Sequence, residues 1–166
     1  LVNSGQRVGR VNGLAVLGAN SGLSDFSGIM LPVEALVTPS QGGGGKIHAT
    51  GGLSDLAKES VTNVSAVVKK VTVSPSSTRH IHGVDGDSAS ITIATAIISA
   101  LENIPIRQDL AMTGSLSVRG EVLPIGGVTA KIEAAARSGV KTIAVLRANM
   151  QDVLLDDRFE EMVEVV

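Results

Sequence analysis

The sequence predicts a mixed α/β (α+β) domain with mixed sheets, β-hairpins and about four helices. Apolar residues recur at spacings of three and four over residues 53–71, and residues 89–101 are apolar nearly all round. Between and beside them lie Val- and Ile-rich runs bounded by glycine and proline, which read as strands. The two signals alternate without a regular strand–helix–strand period, so a uniformly parallel sheet is not expected.

The 166 residues amount to a single domain, 1–166, long enough to bury a core. A hydrophobic fraction of 43% and a mean hydropathy of +0.31 disfavour disorder. Phe26 and Phe159 are the sole aromatics, so the core is aliphatic and base-stacking surfaces are lacking. The net charge is −2 and no basic run exceeds Lys69-Lys70, which argues against nucleic acid. With no cysteine, disulfides, thiol catalysis and cysteine-ligated zinc are excluded. No signal peptide is present, and residues 89–101 are too few to span a bilayer. Leu1 in place of Met implies a piece of something longer.

In chain order, residues 8–17 read as a strand interrupted by Gly-Arg-Val-Asn-Gly. Residues 18–28 form a small-residue loop, and 29–38 a second strand whose Pro32 suggests an edge or a bulge. Residues 39–45, dominated by the glycines 42–45, make a turn before a short strand at 46–50. They are followed by Lys46-Ile47 rather than Lys-Ser/Thr, so a phosphate loop is not the reading. Ser54 caps a helix to Val71, residues 74–78 are a loop, and 79–83 are extended. The helix 89–101 ends at Asn103 and Pro105. A strand at 111–118, a turn at Arg119-Gly120 and a returning strand at 121–125 form a hairpin. Then come a helix at 128–138 closed by Gly139, a strand at 140–146, and a short helical end.

Two stretches carry chemistry: Asp85-Gly86-Asp87-Ser88-Ala89-Ser90 and Gly126-Gly127-Val128-Thr129-Ala130-Lys131. Ser88 falls where a turn meets a helix, amid backbone N–H groups able to hold an oxyanion. A serine hydroxyl needs a base, and a lysine serves only if burial lowers its pKa. Each residue also has an ordinary reading. Ser88 or Asp87 is a helix N-cap, and Lys131 a cation on a solvated face. In the first turn, however, a cation opposes the helix dipole. His80 and His82 alternate like half a metal site, but with only His48 besides, no metal is expected. Ser60, Ser65, Ser115 and Ser117 have no basic partner implied by spacing. Glu133 and Arg137 read as a solvated i,i+4 pair.

Taken together, these stretches resemble the proteolytic domain of Lon proteases, in its archaeal B-type form. The matching residues are 85–96 (DGDSASITIATA), 112–128 (MTGSLSVRGEVLPIGGV), and Lys131 with Gly-Val-Lys-Thr-Ile at 139–143. In the first half they are Gly13-Leu14-Ala15, Ala49-Thr50-Gly51 and Lys58-Glu59-Ser60. The resemblance covers most of the chain. One departure is the Ser-rich segment 71–84, which looks contracted beside the family pattern and bears on the substrate-binding edge.

The resemblance implies that Ser88 is the nucleophile and Lys131 the general base of a serine endopeptidase working through an acyl-enzyme. It implies that Thr113 orients the lysine, that Asp85 contacts or restrains it, and that backbone N–H groups of Asp87 and Ser88 bind the oxyanion. It further implies unfolded polypeptide as substrate, a homo-hexameric ring, and an ATPase domain on the same full-length chain. ATP and Mg would belong to that absent motor, and this domain would need no cofactor. The full-length protein would be membrane-anchored with the protease on the cytoplasmic side. The dyad alone is equally compatible with a stand-alone Ser-Lys peptidase or amidase, and the fold with a non-catalytic ring scaffold.

Overall fold

The computed structural model describes residues 3–17, 27–39, 47–50, 55–71, 77–82 and 87–166. Its strands are β1 (Gln6–Val8), β2 (Arg10–Leu17), β3 (Ser27–Pro39), β4 (Ile47–Thr50), β5 (Ser77–His82), β6 (Pro105–Arg107), β7 (Leu110–Met112), β8 (Ser115–Leu116), β9 (Val122–Leu123), β10 (Thr142–Ala144) and β11 (Glu164–Val165). The α-helices are α1 (Asp55–Val71), α2 (Ser90–Glu102), α3 (Val128–Arg137) and α4 (Asp157–Glu160). Short 3-10 turns cover Asp87–Ala89 and Arg147–Asp152. This is the mixed α/β domain expected.

Seven strands form one sheet in the order β11-β10-β7-β2-β3-β5-β4. The β11-β10-β7-β2 side is parallel, β3 is antiparallel to both its neighbours, and β4 is parallel to β5. Two-stranded antiparallel pairs, β1–β6 and β8–β9, lie outside it.

Period-2 alternation along β2 and β3 divides the core in two. Val11 and Val33 join α1 and α2 in one buried cluster with Val61, Val64, Val68, Ile93 and Ile97. Leu14 and Met30, pointing the other way, join α3 in a second cluster with Ala111, Val128, Ile132 and Ile143. The sheet is therefore covered by α1 and α2 on one face and by α3 on the other. Gly28 of β3 lets α3 approach: a methyl added there would lie 2.0 Å from the Ala130 carbonyl oxygen. Asn103, with φ 53°, ends α2 by bonding its N–H to Ser99.

Several sequence expectations are corrected. Pro32 does not mark an edge strand, because β3 is interior. Among the described residues, however, β5 pairs only with Glu34–Pro39, and Pro32 faces Asn12 of β2 alone. The interruption in the first strand is confined to Gly9, with β2 running through Gly13. Ser77 and Thr78, read as loop, open β5. The strand expected over 111–118 is two strands broken at Thr113 and Gly114. The strands β6 and β11, of three and two residues, were not expected. Ser27 and Gly28, read as loop, open β3, and Pro39, read as turn, ends it. The Ser54 cap, residues 18–26, 40–45 and 74–76, and Asp85 lie outside the described residues.

Candidate active site

Ser88 sits in the 3-10 turn Asp87–Ala89 that leads into α2. The capping residue of α2 is Ala89, with no side-chain cap, so Ser88 does not serve as the ordinary N-cap of that helix. What holds the turn is a set of contacts from the break between β7 and β8. The Ser88 carbonyl accepts from the Gly114 N–H (2.9 Å), and the Gly114 carbonyl accepts from the Ile91 N–H (3.2 Å). The buried Ser90 hydroxyl accepts from the Leu116 N–H at 2.6 Å. The last bond of the β7 ladder runs from the Thr113 N–H to the Ala144 carbonyl (3.2 Å); Gly114 spends both its backbone groups on Ser88 and Ile91, so the ladder does not continue through it.

Thr113 links this turn to the opposite face of the sheet. Its hydroxyl donates toward the Ser88 carbonyl (3.1 Å) and the Leu14 carbonyl (3.4 Å), and accepts from Lys131 Nζ (3.4 Å). Lys131 lies in the first turns of α3, on the helix flank turned to the sheet, and is only 1% exposed. That burial rules out the solvated-face reading. It also holds the ammonium pKa down at about 8, well below the ordinary lysine value, because a charge there loses its water. Desolvation is the cause of that shift, and no charged neighbour among the described residues adds to it.

Ser88 and Lys131 line one cavity of about 520 Å³, closed by Val16, Ser115 and the loop 124–127. No hydrogen bond joins the two side chains among the described residues; Thr113 links the Lys131 ammonium to the Ser88 backbone carbonyl. Gly127 shapes the wall: it has φ +66°, and a methyl there would lie 2.9 Å from Val16 Cγ2. A second cavity, about 340 Å³, lies between Glu59, Ser60 and Asn63 of α1 and the β8–β9 hairpin, and meets the first at Ser115.

Of the residues singled out from sequence, Ser88, Lys131 and Thr113 thus converge. Asp85 lies outside the described residues, as does the side chain of Asp87. His80 pairs with His48 across β5 and β4, but the side chains of all three histidines also lie outside the described set. Among the described residues no group of three His, Asp or Glu could hold a metal ion. Glu133 and Arg137 form the expected pair at 3.3 Å. Arg107 stands on β6 and bonds Asp109 through two contacts of 2.9 Å. Sequence reasoning missed Ser115, whose place depends on the strand break, and Asn149, a lone asparagine with no motif around it.

The chain matches the model of the Lon protease (S16) C-terminal proteolytic domain over residues 2–164. It belongs to that family.

This Lon proteolytic domain is 54% identical over 173 residues to the archaeal Lon protease of Halobacterium salinarum, covering 98% of the chain and 24% of the relative. Against the archaeal Lon protease of Thermoplasma acidophilum it is 53% identical over 171 residues, 98% of the chain and 26% of the relative. A bacterial Lon protease 1, from Syntrophobacter fumaroxidans, is 40% identical over 144 residues, 78% of the chain and 17% of the relative. The chain thus spans about a quarter of the length of these two archaeal relatives. No helix among its described residues is long and apolar enough to cross a membrane.

Proposed function

We propose that this chain, as a single domain over 1–166, is the proteolytic unit of a longer, ATP-dependent Lon-type serine endopeptidase with a Ser88–Lys131 dyad. The observation that carries the proposal is a lysine buried against Thr113, without a described counter-charge, in the cavity that also receives Ser88. With a pKa near 8, a useful fraction of Lys131 is neutral at physiological pH. Thr113 accepts one of its N–H groups, which leaves the nitrogen lone pair free to take a proton.

The reaction then runs as two acyl transfers. Ser88 Oγ attacks the scissile carbonyl carbon while Lys131 Nζ takes the hydroxyl proton. The oxyanion forms where the N–H groups of Asp87 and Ser88 open the helical turn, since the first N–H groups of a turn have no intrahelical acceptor. Lys131 returns the proton to the departing amine, leaving an ester on Ser88. Water attacks that ester, Lys131 takes its proton, and the carboxylic acid leaves as Ser88 regains its own. Substrate binding closes the remaining distance between hydroxyl and amine, as is common when catalytic contacts are loose in a free enzyme. Asp85, if it approaches Lys131, favours the charged lysine and so restrains the base.

The proposed substrates are unfolded polypeptides, delivered by an ATPase domain of the same full-length chain into a homo-hexameric ring on the cytoplasmic side. ATP and Mg serve that motor, and the proteolytic site uses no cofactor. The test is hydrolysis of an unstructured protein and a fluorogenic peptide across pH 6 to 10. Wild type should gain activity through about pH 8, as Lys131 loses its proton. Ser88→Ala and Lys131→Ala should each lose on the order of 10³-fold or more. Activity retained in Ser88→Ala would exclude this nucleophile. A ring that assembles without cleaving any substrate would mark a scaffold instead.

A further inference from the structure

Asn149 belongs to the 3-10 turn Arg147–Asp152, distant in sequence from both members of the dyad, and is 1% exposed. Its amide grips one residue of the cavity wall from both sides. The Ile125 N–H donates to Asn149 Oδ1 at 3.1 Å, and Asn149 Nδ2 donates to the Ile125 carbonyl at 2.8 Å. Ile125 lies in the loop 124–127, where β9 has ended at Leu123 and α3 has not begun. The backbone groups of Ile125 therefore have no ladder or helix to pair with, and the side-chain amide takes the place of a one-residue strand. A second tie runs from the same segment to the helix carrying Lys131. Thr129 Oγ1 donates to the Asp152 carbonyl and accepts from the Leu154 N–H, both at 3.1 Å.

We propose that Asn149 is a positioning residue of the proteolytic site, fixing the loop 124–127 as the wall against which the substrate chain lies and behind which Lys131 stays dry. The inference rests on the proposed Ser88–Lys131 dyad. Four residues of this loop line the cavity beside the lysine. A loop free to swing would both blur the binding surface and admit water to a group whose basicity depends on exclusion of water. An asparagine that merely anchored the turn Arg147–Asp152 would affect neither.

The test compares Asn149→Ala with wild type and with Phe159→Leu, a substitution of the buried residue of α4 chosen as a stability control. Asn149→Ala should raise KM for a fluorogenic peptide fivefold or more. It should also move the acid limb of the kcat/KM profile upward from about 8, toward the ordinary lysine value. Phe159→Leu should lower Tm yet leave KM and the acid limb where they are. Asn149→Asp keeps the acceptor for the Ile125 N–H but sets a carboxylate against its carbonyl, so it should fall between; it decides the matter if the alanine variant does not fold. A lowered Tm with wild-type KM and acid limb in the Asn149 variant would overturn the proposal. Hydrogen exchange at the Ile125 amide, measured in a Ser88→Ala background, reads the clamp without reference to catalysis. Unchanged protection there upon Asn149→Ala overturns the inference, whereas activity surviving Ser88→Ala overturns the dyad instead.

Discussion

On the α1/α2 face of the sheet, Ser88 is held by hydrogen bonds; on the α3 face, Lys131 is held by close packing. The serine turn hangs from backbone contacts to Gly114 and from the Ser90 hydroxyl, all drawn from residues next to the strand break. The lysine helix instead lies so near β3 that Gly28 leaves no room for a side chain beneath Ala130. Thr113 is the point at which the two supports meet. Hydrogen bonds fix the direction of a small hydroxyl-bearing turn. Close packing excludes water from an amine, and that exclusion sets its basicity. Each device suits the demand placed on the residue it carries.

That contrast is sharpest at the two glycines beneath the helices. Gly28→Ala drives a methyl to 2.0 Å from the Ala130 carbonyl, which is backbone and cannot rotate away. The expected result is displacement of α3, a stability loss on the order of 3 kcal/mol or more, and loss of peptide hydrolysis. Gly13→Ala, under α2, is crowded by the Thr92 side chain at 3.2 and 3.4 Å, with the Leu31 carbonyl oxygen at an ordinary contact distance of 3.5 Å. It should cost about 1 kcal/mol and leave most activity in place. Thermal melts and peptide assays on the two variants test this directly; equal effects would remove the distinction between the faces.

The link between the faces comes next in magnitude. Thr113→Val keeps the shape but removes the acceptor for Lys131 Nζ and the donor to the Ser88 and Leu14 carbonyls. A fall in kcat of about 10²-fold is expected, with KM changed little, since both members of the proposed dyad lose orientation while the cavity keeps its walls. Steady-state kinetics decide it. A wild-type kcat would show that Thr113 is a packing residue only.

The two supports were unequally legible in the sequence. Helices α1, α2 and α3 were readable because apolar spacing, glycine and proline mark them, and Ser88 and Lys131 were readable because their flanking stretches match a family pattern. The strand break at Thr113 was not, since the apolar run 111–118 continues through it and only the tertiary contacts of Gly114 interrupt the ladder. Nor were β6 and β11, too short for any periodicity to register. Burial of Lys131 entered the sequence reading only as what a basic lysine needs, its place in a first turn marking it as unusual, whereas the structure shows it 1% exposed on a helix packed close against Gly28 of another strand. Asn149 and Ser115 gave no local signal, because each matters through what it meets far along the chain.

The proposed base, Lys131, owes its basicity to being dry. A pH titration of ¹³C-labelled lysine side chains, with the Lys131 resonance assigned by its disappearance in Lys131→Met, measures this without reference to any substrate. The expected midpoint is about 8. A midpoint at the ordinary lysine value near 10.5 would contradict the account, because the amine would then be charged and unable to take the proton of Ser88 at the pH where the enzyme must work.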